Sequence, residues 1–319
     1  MRWRCAWCVA AMLLTAGWTD DARSLPVGGE SRDVRLRHAV VQQVLAEVGF
    51  SPGLIDGRPG RRTRLAIESF QRARGLPPTG DMDGRTWEAL LEARGGVKRG
   101  FEPLRYRITD ADAAQITGPI PNDWNERARL SFSGFADLEE LLAERGWCTR
   151  EFLRYLNPGV NFARLQTGDE VLLPRLDPVR LPAISRLEID LTEKLVRGFD
   201  ADGRHVLLLH CSIAREVEKR PVGSLRVTVV ATDPNYTFNP ESWPEVKNVT
   251  RRLIIAPGPR NPVGLAWIGL DRPGYGLHGT PRPEDIGKTG SHGCFRLTNW
   301  DAVRLARAVR IGTEVVVRD

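Results

Sequence analysis

The residues that could do chemistry in this 319-residue chain lie close together near its C-terminus. Cys294 stands in the segment Ser291-His292-Gly293-Cys294-Phe295-Arg296, and His278 precedes the thiol by sixteen residues. Glycines between the two would let the loop fold back and bring imidazole to sulfur. Because only a thiolate attacks, an imidazole that accepts the thiol proton would make Cys294 an acyl-transfer nucleophile.

Neighbouring residues suggest how such a site would bind its substrate. Gly293 leaves the backbone before the thiol unconstrained, so that adjacent N–H groups could face a developing oxyanion. Arg296 could hold a substrate carboxylate by paired hydrogen bonds. Four further residues are predicted to line the pocket: Ser291, Tyr275, Trp267 and Asn299.

The residue types also allow a metal site, because His278, His292 and Cys294 could be three zinc ligands. No aspartate or glutamate is suitably placed to act as the base of such a site. We therefore expect neither a metal nor another cofactor. The residues alone do not decide whether His278 or His292 is the base.

Taken together, these motifs resemble the catalytic domain of the L,D-transpeptidases, enzymes that remodel bacterial peptidoglycan. The resemblance rests on four segments in the family's order: Ile255 to Gly264, Trp267-Ile268, His278-Gly279-Thr280 and Ser291 to Leu297. It implies Cys294 as the nucleophile and His278 as the proton donor and acceptor. It also implies that the Gly279 carbonyl orients the imidazole, and that His292 contributes on the oxyanion side.

The family's reaction would be a two-step acyl transfer to peptidoglycan. The cysteine attacks the carbonyl of the third stem-peptide residue and releases the terminal D-amino acid. The thioester then passes to an amine, giving a cross-link between two stems or an anchored protein. Expected partners are stem peptides and glycan, with an envelope protein as one acyl acceptor. Two alternatives stay open: an L,D-carboxypeptidase or endopeptidase that hydrolyses the thioester, and a wall-binding protein with an inert catalytic domain.

The composition agrees with an exported cell-wall protein. Hydrophobic residues make up 41% and charged residues 27%, as in ordinary soluble globular proteins. The net charge of +6 is spread along the chain and suits an anionic partner. Nucleic acid is excluded as that partner, because no reading motif is present and export argues against it.

The N-terminus carries the pattern of an export signal. A basic start and a short apolar run predict a signal peptide over residues 1–23, so that the mature protein would act in the periplasm or cell envelope. Among the cysteines of the mature chain, we expect Cys148 and Cys211 to be buried thiols in separate domains.

The chain is long enough for several domains, and the predicted fold class is multidomain α+β. Helical periodicity predicts a small three-helix bundle over residues 34–93, which resembles a peptidoglycan-binding domain. After a glycine-rich linker, residues 104–176 are similar to a LysM α/β module. Its predicted helices are one containing Phe135, Leu138, Glu139, Leu142 and Ala143 and one containing Phe152, Leu153 and Leu156.

Residues 184–319 change to a period of two, which predicts a mostly antiparallel β catalytic domain. Alternation is clear at residues 187–191, and further strand-like runs follow. One helix is predicted after the nucleophile, capped by Thr298 or Asn299.

Overall fold

The computed structural model describes residues 32–96, 103–243, 245–291 and 293–319. The predicted signal peptide over residues 1–23 and His292 lie outside the described residues, as does most of the linker predicted between the first two domains. Within the described ranges, every helix is too short or too polar to cross a membrane.

The N-terminal module is the predicted three-helix bundle. An apolar stripe of α1, including Val44 and Leu45, packs against Phe70 of the second helix. Asp83 caps the third helix by accepting a hydrogen bond from the Thr86 N–H at 2.7 Å. Its helices are α1 (Arg32–Glu47), α2 (Arg61–Ala73) and α3 (Gly84–Ala93).

The middle unit combines helices with one pair of strands. Its elements are β1 (Leu104–Arg107), α4 (Asp110–Ala113), α5 (Trp124–Arg127), α6 (Leu138–Arg145), α7 (Arg150–Leu156) and β2 (Glu170–Leu173). Strands β1 and β2 pair antiparallel. Both predicted helices are present, but Phe135 lies before α6. The reason is Asp137, which caps α6 by accepting from the Glu140 N–H at 2.7 Å. The short α4 and α5 were not predicted.

The C-terminal part is mostly antiparallel sheet, as predicted, with α8 as its one α-helix among the described residues. Its elements are β3 (Arg186–Asp190), β4 (Leu195–Phe199), β5 (His205–His210), β6 (Ile213–Ala214), β7 (Gly223–Thr232), β8 (Tyr236–Phe238), β9 (Leu253–Ile255), β10 (Ala266–Leu270), β11 (Gly276–His278), β12 (Thr289–Ser291), β13 (Phe295–Arg296), α8 (Asn299–Ala308) and β14 (Glu314–Arg318). Eight strands form one sheet in the order β13-β11-β10-β7-β14-β3-β4-β5. Within it, only β14 with β3 and β11 with β13 run parallel.

The eight-stranded sheet curls until its two edges meet. Ser212 follows β5 at one edge, and Arg296 belongs to β13 at the other. Their backbones exchange two hydrogen bonds of 2.9 and 3.0 Å. Helix α8 packs on the sheet, with Leu305 in the core beside Leu277 and Phe295. Thr298 caps this helix through the Asp301 N–H at 3.2 Å, so Asn299 is its first residue and not its cap.

The N-terminal module and the sheet share one apolar cluster. Phe50 forms a parallel bridge with Leu208 of β5, and the Ser51 N–H donates to the Leu208 carbonyl at 2.9 Å. The side chain of Leu208 is fully buried in the same cluster as Val44 and Phe70. The two parts therefore lose a common core if they separate.

We expect Leu208→Ala to lower the free energy of unfolding by about 2–5 kcal/mol, because it leaves a cavity in a fully buried cluster. Urea unfolding followed by tryptophan fluorescence and far-UV circular dichroism would measure the change. Both signals should move together in one transition, because the cluster belongs to both parts. Ile254→Ala is the control, since Ile254 is 55% exposed. Two separate transitions, with only one shifted, would contradict the shared core.

Candidate active site

The register between β11 and β13 decides which side chains share a face. Leu277 lies opposite Phe295, and both are buried in the core. His278 lies opposite Arg296. Because side chains alternate along a strand, His278 and Arg296 point away from the core, and Cys294, two residues before Arg296, lies on their side. The short parallel pairing thus brings together the thiol, imidazole and guanidinium that the sequence analysis singled out.

Trp267 extends this face onto the next strand. It lies opposite His278 in the pairing of β10 with β11, and its ring stacks on the imidazole with centroids 5.7 Å apart and planes at 27°. The indole also lies over two glycines. A Cβ atom at Gly269 would be 2.8 Å from its Nε1, and one at Gly276 would be 2.8 Å from its Cη2. Only glycine at both positions lets the ring lie flat beside His278.

A backbone carbonyl fixes the tautomer of His278. Its Nδ1 lies 2.6 Å from the carbonyl oxygen of Gly279. Because a carbonyl only accepts, Nδ1 carries the hydrogen and Nε2 keeps a lone pair for accepting a proton. The pKa of His278 is lowered to about 4, chiefly by burial; the Gly279 carbonyl opposes this change and the Arg296 guanidinium contributes to it. The imidazole is therefore neutral at physiological pH.

The sulfur of Cys294 lies against the turn that precedes β11. Its Sγ donates to the Gly274 carbonyl at 3.3 Å. Removal from water raises the pKa of Cys294 to about 11, although a backbone hydrogen bond from Gly276 and the charge of Arg296 lower it in part. The pair consequently rests as a neutral thiol and a neutral imidazole. A proton must pass to the imidazole as the sulfur attacks.

The ring of Tyr275 lies where a side chain at position 293, just before the nucleophile, would otherwise project. A Cβ atom at Gly293 would be 3.1 Å from Cε1 of Tyr275, so the missing side chain makes room for this ring. The guanidinium of Arg272 covers Tyr275 at 4.5 Å from the ring centroid. The backbone of Ser291 pairs with Ala214 in β6, which anchors the chain before the nucleophile.

His292, one of the three residues considered as zinc ligands, lies outside the described residues.

Asn299 is a correction to the predicted pocket lining. It has no exposed surface, and its Nδ2 donates to Glu144 at 2.9 Å and to the Pro259 carbonyl at 3.0 Å. Its Oδ1 accepts from the Leu265 N–H at 3.1 Å. A Cβ atom on Gly279 would lie 2.2 Å from that oxygen. Asn299 therefore leaves no atom for a substrate, and instead supports the glycine whose carbonyl orients His278.

An aromatic flap beside the site was not predicted. Its strands β8 and β9 pair with each other outside the main sheet. Trp124 of α5 stacks on Phe238 with centroids 4.2 Å apart, and Trp243 lies 5.7 Å from Trp124. Burial raises the pKa of Tyr236, a hydrogen bond with Trp243 lowers it in part, and Cys294 would raise it further once ionised. The alternating aromatics at 236 and 238 are the sequence signal that could have indicated this flap.

Comparison with known proteins identifies two domains. Residues 184–317 match the model of the L,D-transpeptidase catalytic domain, and residues 39–90 match a peptidoglycan binding domain. The "Putative L,D-transpeptidase YkuD" of Bacillus licheniformis is 28% identical over 170 residues, which are 53% of this chain and 86% of that protein. The "Putative L,D-transpeptidase YqjB" of Bacillus subtilis is 36% identical over 104 residues, 31% of this chain and 52% of that protein.

Among solved structures, an L,D-transpeptidase from Xylanimonas cellulosilytica covers 92% of this chain and 99% of its own chain, at 17% identity and a TM-score of 0.37. Both family resemblances drawn from the catalytic and N-terminal motifs are confirmed by the two matched domains.

The two pKa values predict how the thiol responds to pH. Alkylation of Cys294 by iodoacetamide should be slow at pH 7 and rise continuously to pH 10, because the thiolate forms only as the pH approaches about 11. Intact-mass kinetics would measure the rate, with Cys294→Ala as the background control. Cys148 and Cys211 should stay unmodified, since burial raises the pKa of each to about 12. A plateau reached below pH 7 would instead reveal a thiolate–imidazolium pair.

Proposed function

We propose that this chain performs a two-step acyl transfer at Cys294. It carries an L,D-transpeptidase catalytic domain at residues 184–317 and a peptidoglycan-binding domain at residues 39–90. The acyl donor is a peptidoglycan stem tetrapeptide, and the acceptor is an amine. The observation that carries the proposal is the 2.6 Å contact between His278 Nδ1 and the Gly279 carbonyl, which leaves Nε2 as a proton acceptor on the face of the nucleophile.

In the first step the sulfur of Cys294 attacks the carbonyl carbon of the third stem residue while its proton passes to Nε2 of His278. The imidazolium then gives that proton to the nitrogen of the terminal D-amino acid. The peptide bond breaks, the amino acid leaves, and a thioester remains on Cys294. A neutral resting pair suits this step, because the imidazole must both accept and return one proton.

In the second step an amine attacks the thioester carbonyl. His278 takes a proton from the attacking nitrogen and returns it to the departing sulfur, which restores the thiol. An amine on a neighbouring stem gives a cross-link, and one on an envelope protein gives an anchored protein. Water in the same place would make the enzyme a carboxypeptidase. Trp267 stacks on His278, and Tyr275 lies against Gly293. These rings would favour an acceptor that displaces water over water itself.

Substrate recognition falls to Arg296, Trp267 and Tyr275, and we keep Ser291 and His292 as candidates from the sequence alone. The guanidinium of Arg296 lies on the face of the nucleophile, where burial and the neighbouring Arg282 lower its pKa. A stem-peptide carboxylate would replace the water that this cation has lost. The oxyanion of each tetrahedral intermediate would form near the N–H groups of residues 293 and 294.

The N-terminal module and the middle unit would bind the enzyme to peptidoglycan. We propose that the N-terminal module holds peptidoglycan in the cell envelope, and that the chain reaches the periplasm through the export signal at residues 1–23. We propose that the middle unit, which has α6 and α7 as well as the short α4 and α5 between the paired strands β1 and β2, is a LysM-like module. Its Trp147 stacks on Trp300 with centroids 6.1 Å apart, which supports a spacer attached to the catalytic domain.

Intact-mass spectrometry after incubation with a stem tetrapeptide would test the thioester. Wild-type protein should gain the mass of a tripeptide acyl group and release free D-alanine, because Cys294 retains the first three residues. Cys294→Ala, tested as a folded protein by circular dichroism, should do neither. An equal adduct on both proteins would place the acyl group elsewhere and refute Cys294 as the nucleophile.

The same reaction with an excess of amine acceptor separates transfer from hydrolysis. Liquid chromatography should show an amide-linked dimer that grows as acceptor is added. If the adduct forms but only free tripeptide accumulates, the enzyme is a carboxypeptidase. If wild type forms no adduct while peptidoglycan sedimentation still retains the protein, the wall-binding alternative holds.

Arg296→Gln should raise the KM for the tetrapeptide by about tenfold, since a charge-assisted hydrogen bond is worth roughly 1.5–3 kcal/mol. Arg282→Gln is the matched control, because the Arg282 side chain is 65% exposed and pairs with Asp285 at 3.4 Å. Steady-state kinetics on both variants would decide. An equal KM in wild type and Arg296→Gln would remove carboxylate recognition from this residue.

A further inference from the structure

The N-terminal module reaches into the loop that carries the nucleophile. Arg62, in the first turn of α2, donates from Nη2 to the main-chain carbonyl of Ile286. Ile286 belongs to the segment between His278 and Cys294. We infer that Arg62 is a positioning residue for this loop, so that the peptidoglycan-binding module helps to hold the catalytic cysteine in place. The inference rests on the proposed function of Cys294.

Two successive carbonyls of the loop are held from opposite sides. Asp285 precedes Ile286, and its carbonyl accepts from the Ser212 hydroxyl at 2.8 Å. Ser212 belongs to the catalytic domain and also bridges Arg296 at the closure of the sheet. The Ile286 side chain is buried, with 1% of its surface exposed. Arg62 therefore completes an anchor that the catalytic domain supplies only in part.

Glycines on both sides make room for the Arg62 side chain. A Cβ atom at Gly287 would be 2.9 Å from Nη2 of Arg62, and one at Gly53 would be 3.2 Å from its Cδ. Both glycines have positive φ angles, 84° and 83°, which favour glycine over other residues. The loop can thus turn directly against the guanidinium, and a side chain at either position would require Arg62 to shift.

The environment of Arg62 makes its bond to Ile286 important. Burial lowers the pKa of this guanidinium, and Asp56 partly offsets the effect. In the described part of the chain, the salt bridges within 4.0 Å do not include Arg62, whereas its neighbour Arg61 pairs with Glu193 at 3.0 Å. A cation that has lost water and has no close carboxylate depends on the carbonyls around it. Loss of the Ile286 contact would therefore loosen the loop.

Besides Arg62 and Ser212, strand pairing holds the described part of the loop. Its ends lie in β11 and β13, and β12 pairs with the short β6. If the middle of the loop moves, the sulfur of Cys294 shifts relative to His278, while the substrate contacts of Trp267 stay in place. Displacement of a reacting atom by about 1 Å can cost on the order of a hundredfold in rate. We expect the effect in kcat and not in KM.

Arg62→Ala tests this role, and Arg61→Ala is the matched control because the Arg61 side chain is 69% exposed. Arg62→Ala should slow thioester formation by roughly tenfold to a hundredfold at unchanged KM, and Arg61→Ala should not. Hydrogen exchange followed by mass spectrometry should become faster in peptides spanning residues 283–291 in Arg62→Ala alone. Arg62→Lys keeps one donor and should restore part of both effects.

The two readouts separate this inference from the proposed reaction. If wild type forms no thioester, the proposed function fails, and the exchange measurement still decides whether Arg62 holds the loop. If Arg62→Ala does not fold, Arg62→Lys carries the test, with intermediate exchange and lowered kcat expected. Equal exchange in the loop and equal kcat for the Arg61 and Arg62 variants would overturn the inference. A uniform increase of exchange over the whole chain would also overturn it, since that indicates general destabilisation.

Discussion

The pairing of β11 with β13 is the constraint on which the rest of the site depends. Only two residue pairs are in register, yet they place Leu277 and Phe295 in the core and His278 and Arg296 on the opposite face. A slip by one residue would turn His278 and Arg296 towards the core and Leu277 and Phe295 away from it. Such a short ladder cannot fix its own register. The buried pair and the two backbone hydrogen bonds between Ser212 and Arg296 fix the register. The closed edge of the curled sheet therefore lies at the candidate site.

A base oriented by a carbonyl has a different electrostatic consequence from one oriented by a carboxylate. The Gly279 carbonyl fixes the tautomer of His278 without bringing a negative charge, so burial and Arg296 keep the imidazole neutral. A carboxylate in this place would raise the pKa and favour a thiolate–imidazolium pair at rest. With both partners neutral, the proposed acyl transfer would develop charge only as the sulfur attacks a substrate carbonyl.

The sequence predicts candidate residues for this site more readily than the elements that hold them. The spacing of His278 and Cys294 predicts a thiol and its base, and the capping residue Thr298 located the start of α8. Asn299 was placed in the pocket because it follows the predicted nucleophile closely in sequence, whereas its hydrogen bonds go to Glu144 and other distant positions. Strands of two or three residues carry no measurable periodicity, so β11 and β13 could not be predicted. The contact of Trp124 with the flap joins residues that are far apart in the chain. The pattern of neighbouring residues in the sequence does not predict such long-range contacts.

The modules of this chain form one continuous framework. Arg304 of α8 donates to the carbonyls of Ala46 and Glu47 at 2.5 and 3.0 Å, which ties the end of α1 to the helix behind the catalytic sheet. Phe50 adds a bridge to the sheet edge, and Arg62 reaches the nucleophile loop. A module joined by a flexible linker would only raise the local concentration of substrate. One that shares a core and an anchor with the active site also fixes the direction from which a bound polymer meets the cysteine. Peptidoglycan held by such a module can present only those stems whose distance and orientation match this fixed geometry.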